Sequence, residues 1–165
     1  TTVNERDQLG PDTPPDYLAT VDFGGHYGWP WFYWRLPDHR VQPQRPDLQQ
    51  YVKRPNYALG AHTASLGLAF AGTAELGPNF ANGAFIGQHG SWNRKPQSGY
   101  KVIYVPFNAR GFPEAKAKPI EVLTGFLNAK GEAQGRPAGV TIDKTGALLV
   151  ADDSGNRIWR VTAAK

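Results

Sequence analysis

Cysteine is absent from the 165 residues. A disulfide framework, a thiolate metal centre and a cysteine nucleophile are therefore excluded. Methionine is absent as well, so no initiator residue is present, and we expect a piece cut or processed from the C-terminal part of a longer chain. No apolar run approaches the roughly 20 residues that a membrane helix needs, and no signal-peptide pattern is visible. The formal charge is only +4 and its Lys and Arg residues are scattered. A nucleic-acid partner, which calls for clustered basic residues, is not expected.

What is present is repetition. Asn82-Gly83-Ala84-Phe85-Ile86 is echoed by Thr145-Gly146-Ala147-Leu148-Leu149. Ser98-Gly99-Tyr100-Lys101-Val102-Ile103-Tyr104-Val105 returns as Ser154-Gly155-Asn156-Arg157-Ile158-Trp159-Arg160-Val161. Upstream, Leu66-Gly67-Leu68-Ala69-Phe70 pairs with Ala138-Gly139-Val140-Thr141-Ile142. These runs are short, bounded by turn residues and rich in β-branched and aromatic side chains, so they read as strands. Three strands per unit, repeated, indicate an all-β chain of the β-propeller type, in which sheets pack side by side around a channel. Inner strands touch neighbours on both faces and read as continuous apolar runs. Outer strands are expected to alternate, with Val102, Tyr104, Ile158 and Arg160 on one face and Ile103, Val105, Trp159 and Val161 on the other.

At a common repeat length of roughly 40 to 50 residues, the chain holds about three blades. The expected division is a loop-rich partial blade over 1–62, a blade with an inserted rim loop over 63–112 and a last blade over 113–165. The opening segment is polar and proline-bearing, and its oxygens at Asn4, Glu5, Asp7 and Asp12 offer ligands to a hard cation such as calcium. A solvated loop without metal is the competing reading, because the regular acidic spacing of a calcium loop is missing. Between Gly24 and Trp34, the side chains of Tyr27, Trp29, Trp31, Phe32, Tyr33 and Trp34 crowd together with His26. Such a cluster wedges between sheets or forms a sugar-stacking platform, with His26 as a hydrogen-bonded packing residue. Residues 35–58 form a long surface excursion.

The loop Gln88-His89-Gly90-Ser91-Trp92-Asn93-Arg94-Lys95-Pro96-Gln97 has no counterpart in the later unit, where only Ala151-Asp152-Asp153 stands. It offers donors, a ring face and permanent positive charge, a set suited to an anionic, planar ligand; a surface loop with an anchoring Trp is the competing reading. Arg136 opens an inner strand, where its rigid fork can hold a carboxylate. Asp152 and Asp153 satisfy turn amides or pair with Arg157. His62-Thr63-Ala64-Ser65 is not a hydrolase pair, because neighbours on a strand point to opposite faces and no nucleophile elbow surrounds Ser65.

Taken in order, Asn4-Glu5-Arg6-Asp7, Gly24-Gly25-His26-Tyr27-Gly28-Trp29-Pro30, Leu66-Gly67-Leu68-Ala69-Phe70, Phe85-Ile86-Gly87-Gln88-His89-Gly90-Ser91-Trp92-Asn93-Arg94, Gly99-Tyr100-Lys101-Val102, Gly135-Arg136-Pro137-Ala138-Gly139-Val140 and Leu149-Val150-Ala151-Asp152-Asp153 resemble the quinoprotein sugar dehydrogenases that use pyrroloquinoline quinone (PQQ). The resemblance is to the L-sorbosone dehydrogenase-like and soluble aldose dehydrogenase-like branch. It implies a six-bladed propeller with PQQ and calcium at the channel mouth, in the periplasm or outside the cell. The implied reaction oxidises a sugar or sugar-derived aldehyde, with an external electron acceptor regenerating the cofactor. Carried over residue by residue, Arg136 and either His89 or Arg94 contact the cofactor, and Asn4 and Glu5 supply backbone oxygens to calcium. The family's catalytic histidine falls upstream of Thr1, so no catalytic residue is assigned within this chain. Upstream blades or a second copy are expected to cover the open sheet faces. The alternative is a non-catalytic propeller module that binds carbohydrate or a protein partner.

Overall fold

The computed structural model describes residues 1–164, and among them β-strands, turns and three short 3-10 turns account for the regular structure. The strands are β1 (Thr2–Val3), β2 (Pro15–Leu18), β3 (Phe32–Tyr33), β4 (Leu36–Pro37), β5 (Tyr57–Ala61), β6 (Ser65–Phe70), β7 (Gly83–Gln88), β8 (Lys101–Pro106), β9 (Ile120–Leu123), β10 (Pro137–Ile142), β11 (Leu148–Asp152) and β12 (Arg157–Val161). They form sheets in the orders β1-β2-β5, β6-β7-β8-β9 and β10-β11-β12, with β3-β4 as a separate hairpin. All strand pairings are antiparallel, and no sheet closes on itself among the described residues. No described helix is long and apolar enough to cross a membrane.

The middle sheet is buried from both sides, and the sequence of its strands shows why. Phe85, Val102 and Tyr104 face the third sheet, where they meet Leu148 and Val150. Their chain neighbours Ile86, Ile103 and Val105 face the first sheet, against Leu18, Tyr57 and Leu59. Each such side chain contributes about 1.5–3 kcal/mol on leaving water. The expected split of β8 into two faces is therefore present, but both faces are covered: its four central residues are at most 2% exposed. In β12 the same split leaves Ile158 74% exposed and Trp159 36% exposed, because no further sheet covers it among the described residues.

The repeat is close, with one offset. Bulges fall between Ser65 and Leu68 in β6 and between Pro137 and Val140 in β10. This matches Leu68 to Val140 and, through β7 and β11, Gln88 to Asp152 and Phe85 to Leu149. The inner strands are thus one residue out of step with the sequence echo, because the turn leading into β11 is shorter than the stretch leading into β7. The fourth strand, β9, pairs with β8. The middle sheet therefore extends to Leu123.

Glycine sets the distance between the second and third sheets. A Cβ at Gly67 or Gly87 would strike the Ala138 carbonyl oxygen of β10. The segment between β2 and β5 is held by charge instead. Asp38, 1% exposed, accepts hydrogen bonds from Arg40 at 2.6 and 2.8 Å and from Arg6 at 3.1 Å. Arg40 above all holds this carboxyl well below the usual carboxylate range, against the opposing effect of burial.

Gly87→Ala should lower unfolding free energy by about 1–3 kcal/mol, since backbone must move to admit the methyl group. Gly139→Ala is the control: its Cβ would meet only the Ala151 Cβ at 3.8 Å, so denaturant melts should shift by less than about 1 kcal/mol. For Asp38→Asn, we expect a loss of about 1–3 kcal/mol at pH 7, discounted for the solvent screening of Arg40. The depressed carboxyl stabilises the fold above an ordinary Asp pKa of about 4, and that stabilisation fades as pH falls toward its folded-state value. The gap between wild type and variant should narrow below about pH 4, and a gap that stays constant to pH 3 would remove Asp38 from this role.

Candidate functional site

The end of β5, the start of β6, the ends of β7 and β11 and the start of β10 all lie at one end of the sheets, and their turns build a polar rim. The turn from β5 to β6 is sharp. His62 and Ala64 adopt φ of +55° and +50°, a conformation costly for residues with a Cβ. Its hydrogen bonds account for its persistence. Asp16, 1% exposed, accepts the Ser65 N–H at 2.9 Å, the Thr63 hydroxyl at 2.9 Å and the Glu5 N–H at 3.0 Å. Burial pushes the Asp16 carboxyl up, with these donors pulling the other way. The turn then presents carbonyls outward: Ala64 accepts the His89 N–H and Thr63 the Gly90 N–H, both at 2.9 Å.

His89 is placed by this contact, and its ring bridges to the third sheet. Nε2 lies 2.9 Å from Asp153 Oδ1, and Nδ1 lies 3.3 Å from Nη1 of Arg136. A guanidinium only donates, so Nδ1 accepts and Nε2 carries the proton it gives to Asp153. His89 is thereby a neutral imidazole in one tautomer. Arg136 also donates from Nη2 to the Tyr100 hydroxyl at 2.6 Å, with its guanidinium carbon 5.0 Å from the centre of that ring. Tyr100 in turn donates to the Ser91 carbonyl at 2.6 Å. The Arg136 backbone is tied down too, since its N–H donates to Asp152 Oδ1 at 2.8 Å. Asp152 also receives the Gly155 N–H and the Trp159 indole. Burial alone would raise its pKa, but these donors win and hold it below the usual range.

Arg136 is half-buried and fixed through three neighbours, and its guanidinium has no carboxylate within 4 Å among the described residues. Its charge is uncompensated. Arg94, expected to join it, does not. The inserted loop folds toward the opening segment, where Arg94 pairs with Asp12 at 3.0 Å and donates to the Ala61 carbonyl at 3.3 Å. Arg94 is therefore already neutralised.

Beside Arg94 lies a small cavity of about 50 Å³ lined by Asn4, Asp7, His62, Trp92 and Asn93, among others. His62 Nε2 donates to the Gly10 carbonyl at 2.8 Å, and Nδ1 sits 3.2 Å from Asp7. Asn93 Nδ2 donates to the same carboxylate at 3.0 Å, while its Oδ1 is buried without a partner. Glu5 is turned inward, where its carboxylate accepts from the Arg6 N–H and Nε. Among the described residues no three His, Asp or Glu side chains converge as a metal site. The side chains of Asn4 and Glu5 accordingly do not make a cation site by themselves.

Sequence reasoning placed His89, Arg136 and Asn4 on what proves to be one rim. It gave no role to Asp16, His62 or Tyr100. The aromatic segment divides: Phe32 is 2% exposed, while Trp29 is 71% exposed with the Arg6 guanidinium 4.7 Å from its ring centre. His26, expected to be hydrogen-bonded through its side chain, packs edge-on to Phe32 and leaves Nε2 buried and unpaired.

The tautomer is directly measurable. ¹⁵N spectra of the histidines should show His89 with Nε2 protonated and Nδ1 bare, and Asp153→Ala should release it to a mixture of tautomers. A protonated Nδ1 in the wild-type neutral ring would break the proposed link to Arg136.

A family model described as TrAA12-like matches residues 42–164. Over 160 residues the chain is 30% identical to a protein of Borreliella burgdorferi, covering 96% of this chain and 41% of that one. A shorter stretch of 53 residues is 45% identical to a pyrroloquinoline quinone-dependent pyranose dehydrogenase of Coprinopsis cinerea, 32% of this chain and 6% of that one. Among solved structures, the calcium structure of the Trichoderma reesei family AA12 carbohydrate-active enzyme superposes with a TM-score of 0.70 at 21% identity, over 91% of this chain and 43% of that one. The holo PQQ domain of the Coprinopsis cinerea pyranose dehydrogenase gives 0.67 at 22%, over 94% and 46%. The chain thus spans less than half the length of these relatives while sharing their fold. With three quarters of its length matched by that one model, the chain belongs to the TrAA12-like family.

Proposed function

We propose that this chain forms part of a quinoprotein oxidoreductase that oxidises a sugar or sugar-derived aldehyde, and that its rim holds one side of PQQ through Arg136. The observation that carries this reading is the clamped, half-buried guanidinium without an acid partner. PQQ is a planar tricarboxylate, and a pre-oriented arginine fork is what its anchoring requires. Support also comes from the PQQ-dependent relatives. The three sheets are read as consecutive blades of a propeller, with further blades or a second copy covering the open faces. The L-sorbosone-like preference and a periplasmic or extracellular site of action rest on motif order alone.

When bound, PQQ supplies the two-electron acceptor for a hydride leaving the substrate carbon. The residues of this chain bind and orient. Arg136 neutralises a carboxylate, and Tyr100 and neutral His89 fix the direction of its fork. Asp153 keeps the His89 proton on Nε2, so that Nδ1 faces the guanidinium as an acceptor. No base for the substrate proton is assigned among the residues of this chain. Calcium would rest on the backbone oxygens of Asn4 and Glu5, since no three His, Asp or Glu side chains converge among the described residues, and no step is assigned to it. Arg94, spent on Asp12, serves to pin the inserted loop.

A second reading has its own observation. Trp29 and Trp92 are 71% and 73% exposed, which suits a carbohydrate-binding module without catalysis.

In the full-length protein, Arg136→Ala should weaken PQQ binding about tenfold or more, as expected for loss of a charge-assisted hydrogen-bond pair. Quinone absorbance during titration reads it. Arg94→Ala should leave PQQ affinity within about threefold, since its charge is already matched. Equal affinities for Arg136→Ala and wild type would reject the assigned role. Sugar binding that ignores PQQ and disappears in Trp29→Ala would transfer the case to the binding module.

A further inference from the structure

A second concentration of unmatched positive charge lies away from the rim, in a cleft of about 680 Å³ lined by Trp34, Arg35, Pro46, Gln49, Gln50 and Arg54. That size fits a small ligand. Its walls are the tip of the β3-β4 hairpin and the 3-10 turn over Pro46–Tyr51.

The hairpin tip is unusual. Trp34 and Arg35 connect the strands with φ of +47° and +67°, the geometry of a two-residue turn that normally takes Asn and Gly. Two bulky residues hold a left-handed conformation here because the surroundings enforce it. The Trp34 indole donates to the Pro15 carbonyl at 2.9 Å and its ring meets Tyr17 edge-on at 5.8 Å. Gln49 Nε2 donates to the Arg35 carbonyl at 3.1 Å. The strain fixes the Arg35 backbone at the mouth of the cleft.

The chemistry of the lining is one-sided. Neither Arg35 nor Arg54 has a carboxylate within 4 Å among the described residues, and no acid lines the cleft. Asp47, the acid of the same turn, is occupied by Arg45 at 2.7 Å. Gln49 and Gln50 each donate one amide N–H to a backbone carbonyl, which fixes the amide planes, and neither amide oxygen accepts a hydrogen bond among the described residues. A matching ligand therefore carries an anionic group for the arginines and hydroxyl donors for the glutamines. A bare inorganic anion satisfies only the first requirement.

We propose that this cleft binds an acidic saccharide, a polyhydroxylated ring bearing a carboxylate or a sulfate ester, at a site separate from the rim. The argument does not depend on PQQ. It rests on unpaired guanidinium groups, free amide oxygens and a backbone held in place against its preference.

The test is calorimetric titration of the chain at low ionic strength with trigalacturonate, a sulfated heparin disaccharide, neutral maltotriose and sodium sulfate. Both acidic saccharides should bind and maltotriose should not, and the tighter of the two assigns carboxylate or sulfate ester as the preferred group. The Arg35→Ala/Arg54→Ala double variant, which alters only exposed side chains, should weaken binding about tenfold or more. Arg136→Ala should bind as wild type does. Failure of both acidic saccharides to bind, or binding that survives the double variant, overturns the site. Sodium sulfate binding as tightly as the saccharides overturns the ligand class, and loss of binding in Arg136→Ala moves the ligand to the rim.

Discussion

One buried carboxylate organises the rim. Asp16 draws the opening segment, through the Glu5 N–H, onto the turn formed by Thr63 and Ser65. A charge so buried is tolerated only with its acceptor sites filled, which makes these contacts mutually dependent. Their consequence travels outward. The turn so fixed offers the Ala64 and Thr63 carbonyls to His89 and Gly90, and His89 reaches Arg136 on the neighbouring sheet. The position of the Arg136 guanidinium is thus set, three hydrogen-bonded steps away, by a residue on another sheet.

The second constraint is the distance between sheets. Side chains of β7 and β8 interdigitate with both neighbouring sheets, while Gly67 and Gly87 let the β10 backbone approach closely. Without that approach the span from His89 to Arg136 would lengthen beyond hydrogen-bond reach. Packing in the body of the sheets and geometry at their ends are therefore a single problem: a methyl group added between sheets is felt at the rim.

Much of this was legible in the sequence because it depends on period and on chain order. Alternation in β8 and β12 predicted which residues share a face, and the repeat located three strands in each later unit. The one-residue offset between Phe85 and Leu149 was not visible, because register follows from turn length and bulge position. The burial of both faces of β8 was also hidden, since it requires a neighbouring sheet. Arg136 was readable as a cation at a strand start. The fate of Arg94 was not, because its partner Asp12 is distant in sequence and meets it only after the inserted loop folds back. Asp16 escaped notice because a lone acid near prolines looks like any solvated loop residue. Tyr100 did so because its φ of +57° and its bond to Ser91 arise from the loop's closure.

Arginine pairing separates structural from available charge across the molecule. Arg6 and Arg40 share Asp38, Arg94 holds Asp12, Arg45 holds Asp47 and Arg160 holds Asp143. Each is satisfied internally and stabilises a loop. The Arg136 guanidinium is different, for His89 and Tyr100 place it and no carboxylate reaches it, and Arg35 and Arg54 likewise have no carboxylate within 4 Å among the described residues. Neutral anchoring matters because a carboxylate in the same position would both orient the guanidinium and cancel it. Using Tyr100 and a neutral His89 at the rim, and a clamped hairpin backbone at the cleft, the fold orients positive charge without neutralising it. For the half-buried Arg136 that arrangement is costly in an isolated chain and becomes favourable when an anion arrives, which is why the proposed cofactor contact falls on it and not on the paired arginines.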